Sequence, residues 1–313
     1  MGIPLVSVFV ITYNQVDFVR ETIESVLCQD YGNIEIVIAD DGSTDGTAEI
    51  INEYAEKYPN IIVAITGGPN LGITGNSNRA LSYCNGLYIA FLGGDDVFLP
   101  GKIRRQVEWL EGDPNRVLCY HDMEAFDSVT RETLYYMSQR TRFHDGSVVN
   151  LIRHGNYIGG TTVMIRSPQN AKVGFDPRVP VASDWLFWVD VVKVQGGVIG
   201  HIEGVYAKYR IHSRNVTKVS DHFLIDNLTT LQIIREKYPG YAWDCCVYRS
   251  EVLFSAAIRA FKRREKGVRV LGLLLRSILS CYGLWVAPFS MFWRKLDLSA
   301  IRMLSKPKHG ALS

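Results

Sequence analysis

Glu35-Ile-Val-Ile-Ala-Asp40-Asp41-Gly-Ser-Thr-Asp-Gly46 is an apolar run that stops at paired aspartates beside a glycine, and Tyr88-Ile-Ala-Phe-Leu-Gly-Gly-Asp95-Asp96 has the same form. An apolar run without polar alternation suits a strand covered on both faces, as in a parallel sheet. In such sheets ligands bind outside the carboxyl ends of the strands. Two acidic pairs delivered to that edge are suited to hold a nucleotide base and ribose on one side and a divalent cation on the other.

Working outward, strand-like and helix-like stretches alternate through the first hundred or so residues. Strands are predicted at Val6–Thr12, Ile34–Ala39, Ile61–Thr66 and Leu87–Leu92, and helices at Phe18–Gln29, Thr47–Tyr58 and Ile73–Tyr83. Asp45 is the expected N-cap of the second helix, and Pro100 is expected near the start of a fourth that runs to Leu110. This βαβ alternation predicts an α/β fold with a mainly parallel, Rossmann-like sheet and helices on both faces. Val117–Phe126, Thr161–Arg166 and Val198–Tyr209 read as further strands, and Asp184–Lys193 as a helix. The chain is expected to divide into a catalytic domain at 1–220 and a helical region at 221–313.

With 313 residues and 47% hydrophobic content the chain can bury a full core. Its net charge of +2 gives no global argument for nucleic acid as a partner. The six cysteines (28, 84, 119, 245, 246 and 281) show no C-x-x-C spacing, so neither a zinc site nor a redox motif is expected, and reduced thiols fit a cytoplasmic setting. The N-terminus lacks a basic region and a cleavage site, so no signal peptide is read there.

Four segments carry chemistry. Thr12-Tyr13-Asn14 closes the first strand with an aromatic ring able to stack on a base and polar groups able to meet its edge. Asp40 and Asp41 can accept from a uracil imide or ribose hydroxyls, while Ser43 and Asp45 compete as helix-capping groups. Asp95 and Asp96 are candidate ligands for magnesium or manganese, which take one or two protein carboxylates and complete their shell with substrate phosphates. Asp184 opens a helix and is read as a general base, because an alcohol must lose its proton as it attacks a sugar carbon; a simple N-cap role competes. After the strand ending at Tyr209, Arg210 and His212 are candidates for diphosphate contact and the metal shell, with an ordinary surface-loop histidine as the alternative.

Taken in this order, these segments resemble the family 2 glycosyltransferases, whose catalytic domain has the GT-A fold. The resemblance runs from Val6 to Thr217. It implies a nucleotide-sugar donor, Mn2+ or Mg2+, and inversion at the anomeric carbon. It places Thr12, Tyr13, Asn14, Asp40, Asp41 and Asn78 at the nucleotide, with Asn70-Leu-Gly72 bordering it. Asp95 and Asp96 fall at the metal, Tyr209-Arg210-Ile211-His212 at the loop closing over the diphosphate, and Asp184 at the base position. Three positions depart from the family pattern: Gly93 where an aspartate is usual, Ser183 where glutamate is frequent, and Ser77 where an arginine often precedes Asn78. Asn156 and Tyr157, between the donor and base segments, are assigned to the acceptor. UDP is the first choice of nucleotide, with GDP and dTDP open.

Toward the C-terminus, Lys262, Lys266 and Arg269 share one side of a helical projection, opposite Phe254, Ile258 and Phe261. Ser277–Trp293 carries no charge but is short for a membrane span and holds Gly283 and Pro288. The region is read as peripheral on the inner leaflet, held by anionic lipid, with packing on the catalytic domain as the alternative. Such a surface suits a glycan or lipid-linked acceptor in bacterial polysaccharide assembly. Two rivals stand beside the transferase. A sugar nucleotidyltransferase would need a glycine-rich basic loop after the first strand, which Tyr13-Asn14-Gln15-Val16-Asp17 does not supply. A non-catalytic sugar-nucleotide-binding or scaffold protein is made plausible by Gly93.

Overall fold

The computed structural model describes residues 2–168, 173–215 and 220–280. In chain order the regular elements are β1 (Val6–Thr12), α1 (Val19–Leu27), β2 (Ile34–Asp40), α2 (Thr47–Lys57), β3 (Ile62–Ile65), α3 (Gly72–Leu81), β4 (Tyr88–Gly93), β5 (Val97–Phe98) and α4 (Lys102–Glu111). They continue with β6 (Arg116–Asp127), β7 (Thr133–Tyr136), α5 (Val148–His154), β8 (Met164–Arg166), α6 (Ser183–Gln195), β9 (Val198–Ile211), α7 (Ser220–Lys237), α8 (Ala242–Lys262) and α9 (Gly267–Ser280).

The strands form one sheet in the order β3-β2-β1-β4-β8-β6-β9-β5, with β7 on β6. The β1–β4 quartet is parallel. Beyond it the sheet is mixed: β8 runs antiparallel to β4 and β6, while β6 and β9 run parallel. The first crossovers step from β1 to β2 to β3, and β4 then returns to the other side of β1. That reversal makes a crevice at the carboxyl ends of β1 and β4, where open α/β sheets bind ligands.

The apolar runs bury both strand faces, which is why they lack alternation. Val6, Val8 and Val10 share one core with Ile23 and Val26 of α1, Ile51 of α2 and Ile103 and Val107 of α4. Phe9 points the other way, its ring 4.9 Å from Phe91, which meets Trp188 of α6 at 4.7 Å. Helices therefore cover both faces.

Several boundaries differ from the sequence reading. Gly101, in the left-handed region at φ 84°, precedes α4, so Pro100 lies outside the helix. Asp45 does cap α2 with its side chain, accepting from the Thr47 amide at 3.0 Å, but Gly46 occupies the N-cap position. Thr161 and Thr162 lie in a 3-10 turn and β8 begins only at Met164. β5, β7 and α5 went unread: they are short, and the outward residues of β7 are exposed.

Two compact units result, 1–230 and 231–313, with the division inside α7. Within the second, α8 and α9 pack through small residues, the Ser277 hydroxyl donating to the Ser250 carbonyl at 2.8 Å. The chain breaks helix between Lys262 and Gly267, so the single projection aligning Lys262 with Lys266 and Arg269 does not hold. No helix among the described residues is long and apolar enough to cross a membrane. Thr217 and residues 281–293 of the uncharged stretch lie outside the described residues, as does Cys281.

Candidate active site

Parallel register sets Thr12 beside Asp40 and Ile11 beside Gly93, so the two acidic segments emerge on either side of β1. Gly94 packs against that strand end: a Cβ there would lie 2.3 Å from both the Thr12 Cγ2 and the Gln15 Oε1. Only glycine lets the turn after β4 approach so closely.

At the β1–β2 edge most polar groups serve the protein itself. Thr12 donates to Asp40 Oδ1 at 3.0 Å, and the Ser43 amide donates to Asp40 Oδ2 at 2.8 Å. Asp40 is fully buried, so it holds the turn and does not face a base. Asp41 accepts from the Leu71 amide at 2.7 Å through Oδ1, which Arg79 approaches to 3.7 Å. Asn14 adopts φ 52° and accepts from the Thr44 amide at 2.9 Å, making it a turn residue. Tyr13 is half-exposed over the crevice. Asn78 uses both ends of its amide on the Phe175 backbone, each at 2.8 Å, so it straps α3 to the segment before α6.

After β4 the chain turns through Asp95 and Asp96 into β5, whose two residues pair with Ala207 and Lys208 of β9. This short ladder brings the end of β9 onto the acidic turn. His212 Nε2 lies 2.9 Å from Asp95 Oδ2, and its Nδ1 accepts from the Arg214 amide at 3.2 Å. In a neutral ring the proton therefore sits on Nε2 and is donated to Asp95. Asn215 fixes the turn, its amide donating to the Arg210 carbonyl at 2.9 Å.

Asp96 and Arg210 differ from their expected roles. Asp96 is buried; it accepts from the Arg210 amide at 3.0 Å through Oδ1 and from the Thr161 hydroxyl through Oδ2. Burial, then the charge of Asp95, holds its carboxyl well above the usual range. Arg210 is 2% exposed, its guanidinium 4.8 Å from the Phe18 and Phe126 rings. It donates to the Asp95 carbonyl at 2.7 Å and to Glu21 at 2.6 Å. These contacts tie its guanidinium to the acidic turn and to α1. Glu21 also pairs with Arg131, which, ahead of Arg210, draws its carboxyl down to about 2. The exposed cation beside the site is Arg214, paired with Asp17 at 3.0 Å.

Asp184 lies in the first turn of α6. Its Oδ1 accepts from Asn156 at 3.0 Å and from the Trp185 amide at 2.8 Å. Burial raises its pKa against the opposing pull of these donors. The N-cap position is Ala182, so the capping alternative does not apply. A Cβ on Gly160 would sit 4.0 Å from Asp184 Oδ2. The next residue, Thr161, donates to Asp96. Consecutive residues thus border the two acids, and Asp184 and the Asp95–Asp96 turn flank one short segment. Tyr157 is buried, with its hydroxyl donating to the His144 carbonyl at 2.7 Å. Asn156 is exposed.

Among the described residues no three His, Cys, Asp or Glu side chains gather as a metal cage. Asp95 and His212 have the spacing of a shared divalent site, which would require the ring to give up its Nε2 proton and carry its hydrogen on Nδ1, losing the Arg214 amide contact. Donors on adjacent corners of an octahedron with bonds of about 2.1 Å stand about 3.0 Å apart, against the 2.9 Å found here.

A half-enclosed carboxylate and an acid–imidazole pair thus border one short segment at the switch point of the sheet. The model of the family described as Glycosyl transferase family 2 matches residues 7–170. An uncharacterized glycosyltransferase of Rickettsia typhi is 30% identical over 223 residues, 69% of this chain and 67% of the relative. The chain belongs to glycosyl transferase family 2. A Bacillus subtilis protein named as a candidate teichuronic acid biosynthesis glycosyltransferase, TuaG, is 29% identical over 68% of this chain and 82% of its own. The chain spans 60% of the length of an uncharacterized Mycobacterium tuberculosis relative, to which it is 30% identical over 214 residues. Among solved structures, Staphylococcus aureus TarS 1–349 in complex with UDP-GlcNAc matches with a TM-score of 0.67 at 18% identity, covering 95% of this chain and 89% of that one. The mannosyltransferase PcManGT of Pyrobaculum calidifontis, in complex with GDP-Man and Mn2+, matches at 0.56 and 15%, covering 96% and 87%. These likenesses show the GT-A-type fold.

Proposed function

We propose that this chain transfers a sugar from a nucleotide-diphosphate sugar, a UDP-sugar first among them, to a hydroxyl of a glycan or lipid-linked acceptor in bacterial surface-polysaccharide synthesis, with inversion. The observation that carries the reading is Asp184: a partly enclosed carboxylate, held by Asn156 and raised in pKa by burial, set across Gly160-Thr161 from the Asp95–His212 pair. The TarS complex with UDP-GlcNAc supports the donor class, and TuaG supports the setting.

Asn156 occupies Asp184 Oδ1, which leaves Oδ2 on the open Gly160 side to take the proton of the attacking hydroxyl. Tyr13 stacks on the base, and Asp41 meets the base or ribose with Oδ2, which takes no hydrogen bond from the described residues. Arg214 faces the diphosphate in place of Arg210. Asp95 and His212 would hold Mn2+ or Mg2+, which would supply positive charge to neutralise the departing diphosphate. Gly93 favours a second reading, a sugar-nucleotide-binding protein without turnover. Release of UDP from UDP-sugars in the presence of manganese separates them. The transferase reading expects slow release that Asp184→Asn abolishes; binding with no release by the wild type supports the binding protein instead. An inner-leaflet contact belongs to the same reading, and its surface is argued next.

A further inference from the structure

We propose that the outward side of α9 is a docking surface for a bilayer of anionic phospholipid, on which the helix lies in the plane of the headgroups. Val268, Leu271, Leu275, Ile278 and Leu279 are all exposed, Val268 at 85% and Leu279 at 61%. At 3.6 residues per turn they fall within an arc of about 100°. Leu273 and Ser277 lie on the opposite side and are buried, Ser277 against Ser250 of α8. The helix therefore has one side that packs and one apolar stripe that nothing among the described residues covers. Scattered apolar residues are normal on a surface, whereas a contiguous row marks an interaction site.

Charge identifies the occupant. Residues 261–280 hold six basic side chains, Lys262, Arg263, Arg264, Lys266, Arg269 and Arg276, against the single acid Glu265. Glu265 is paired with Arg269 at 2.9 Å. Arg269 and Arg276 line one flank of the stripe on the helical projection, and the other four sit at the α8 end and in the connection to α9. An apolar stripe with a cationic border is complementary to acyl chains beneath anionic headgroups. A second copy of the same stripe would set two cationic borders against each other.

The surface concerns residues 261–280 alone and is tested without turnover, so its failure and that of the transferase reading are distinguishable. The full chain is floated with phosphatidylcholine vesicles with and without phosphatidylglycerol, at low and high salt. Wild-type protein should float with the anionic vesicles and lose binding as salt screens the charges. Leu271→Glu with Leu275→Glu should lower the bound fraction about tenfold or more. Lys262→Glu with Lys266→Glu should lower binding and remove most of its salt dependence. Both pairs should keep the wild-type helical circular dichroism. No flotation of the wild type overturns the proposal, as does flotation that the leucine pair leaves intact. A wild-type dimer in light scattering that the leucine pair dissociates also overturns it, assigning the stripe to a second copy.

Discussion

At the scale of single residues, the electrostatics of Asp184 set the expected pH behaviour. Its folded-state pKa is raised by burial, so the active ionised form is reached only at higher pH than for an exposed aspartate. The acid limb of kcat/KM should lie above about 4, the ordinary aspartate value, and Asp184→Asn should lower kcat about 10²- to 10⁴-fold while calorimetric donor affinity holds. Wild-type turnover in that variant would remove Asp184 from the mechanism. The linkage sign follows from the same shift. A raised folded pKa favours the native state while the group is protonated, and that advantage is lost as pH rises through the folded value. At neutral pH the ionised carboxylate is then a burden on the fold, so Asp184→Asn should melt higher than wild type near pH 7.

Arg210 gives the complementary case. Arg210→Met removes a buried cation whose donors hold the Asp95 carbonyl and Glu21. Urea denaturation should register a loss of about 1–3 kcal/mol per charged hydrogen bond broken. Because the main-chain amide of residue 210 still reaches Asp96, nucleotide affinity should fall less than kcat. A large rise in KM at unchanged kcat would instead restore Arg210 to the diphosphate.

Among elements, α4 buries a lysine. Lys102 is fully enclosed, its ammonium 4.3 Å from the Phe98 ring and donating to Gln106. Burial brings its pKa from 10.5 down to about 7. Above the folded value the native state holds the neutral amine while the unfolded chain still binds the proton, so this group makes stability rise with pH between about 7 and 10.5. Lys102→Met should flatten that rise in a series of thermal melts; an unchanged slope would assign it to other groups. The glycine turn after β4 is tested by Gly94→Ala. The added methyl meets Thr12 and Gln15 at 2.3 Å, and overpacking of this kind costs about 1–3 kcal/mol. Gly101→Asn should be far milder, since nothing lies within 4 Å of a Cβ there and asparagine tolerates its left-handed backbone.

For the whole molecule, the proposed ion site draws two side-chain donors, Asp95 and His212, from the described residues, so ion and nucleotide-sugar should stabilise cooperatively. Thermal protection by Mn2+ with a UDP-sugar should exceed the sum of either alone; additive protection, or turnover indifferent to chelator, would count against a shared site. What was legible in the sequence divides by the same physics. The parallel quartet was readable because strands buried on both faces must be continuously apolar, and β1 was read to both boundaries. The mixed half was less so: β5 is two residues long and the four residues of β7 leave Leu134 and Tyr136 exposed, so there is no period to detect. The acidic edge was legible, but the destinations of its polar side chains were not. Asn78 and Arg210 carry suitable chemistry for a ligand, and only tertiary packing reveals that Phe175 and Glu21 already occupy them. Glu21 and Arg214 were passed over because a lone charge between ordinary neighbours has no sequence signature.

The pairing of β5 with β9 has a consequence for the order of events in synthesis. Asp95 and His212 are 117 positions apart, and the strand that delivers the histidine lies near the end of the first unit. A ribosome releasing the chain from its N-terminus can supply an organised β1–β4 edge early, yet the pair proposed to grip the leaving group stays unfinished until His212 has emerged. Nascent chains halted before that point would be inert toward donor, which delays competence until the sheet is complete.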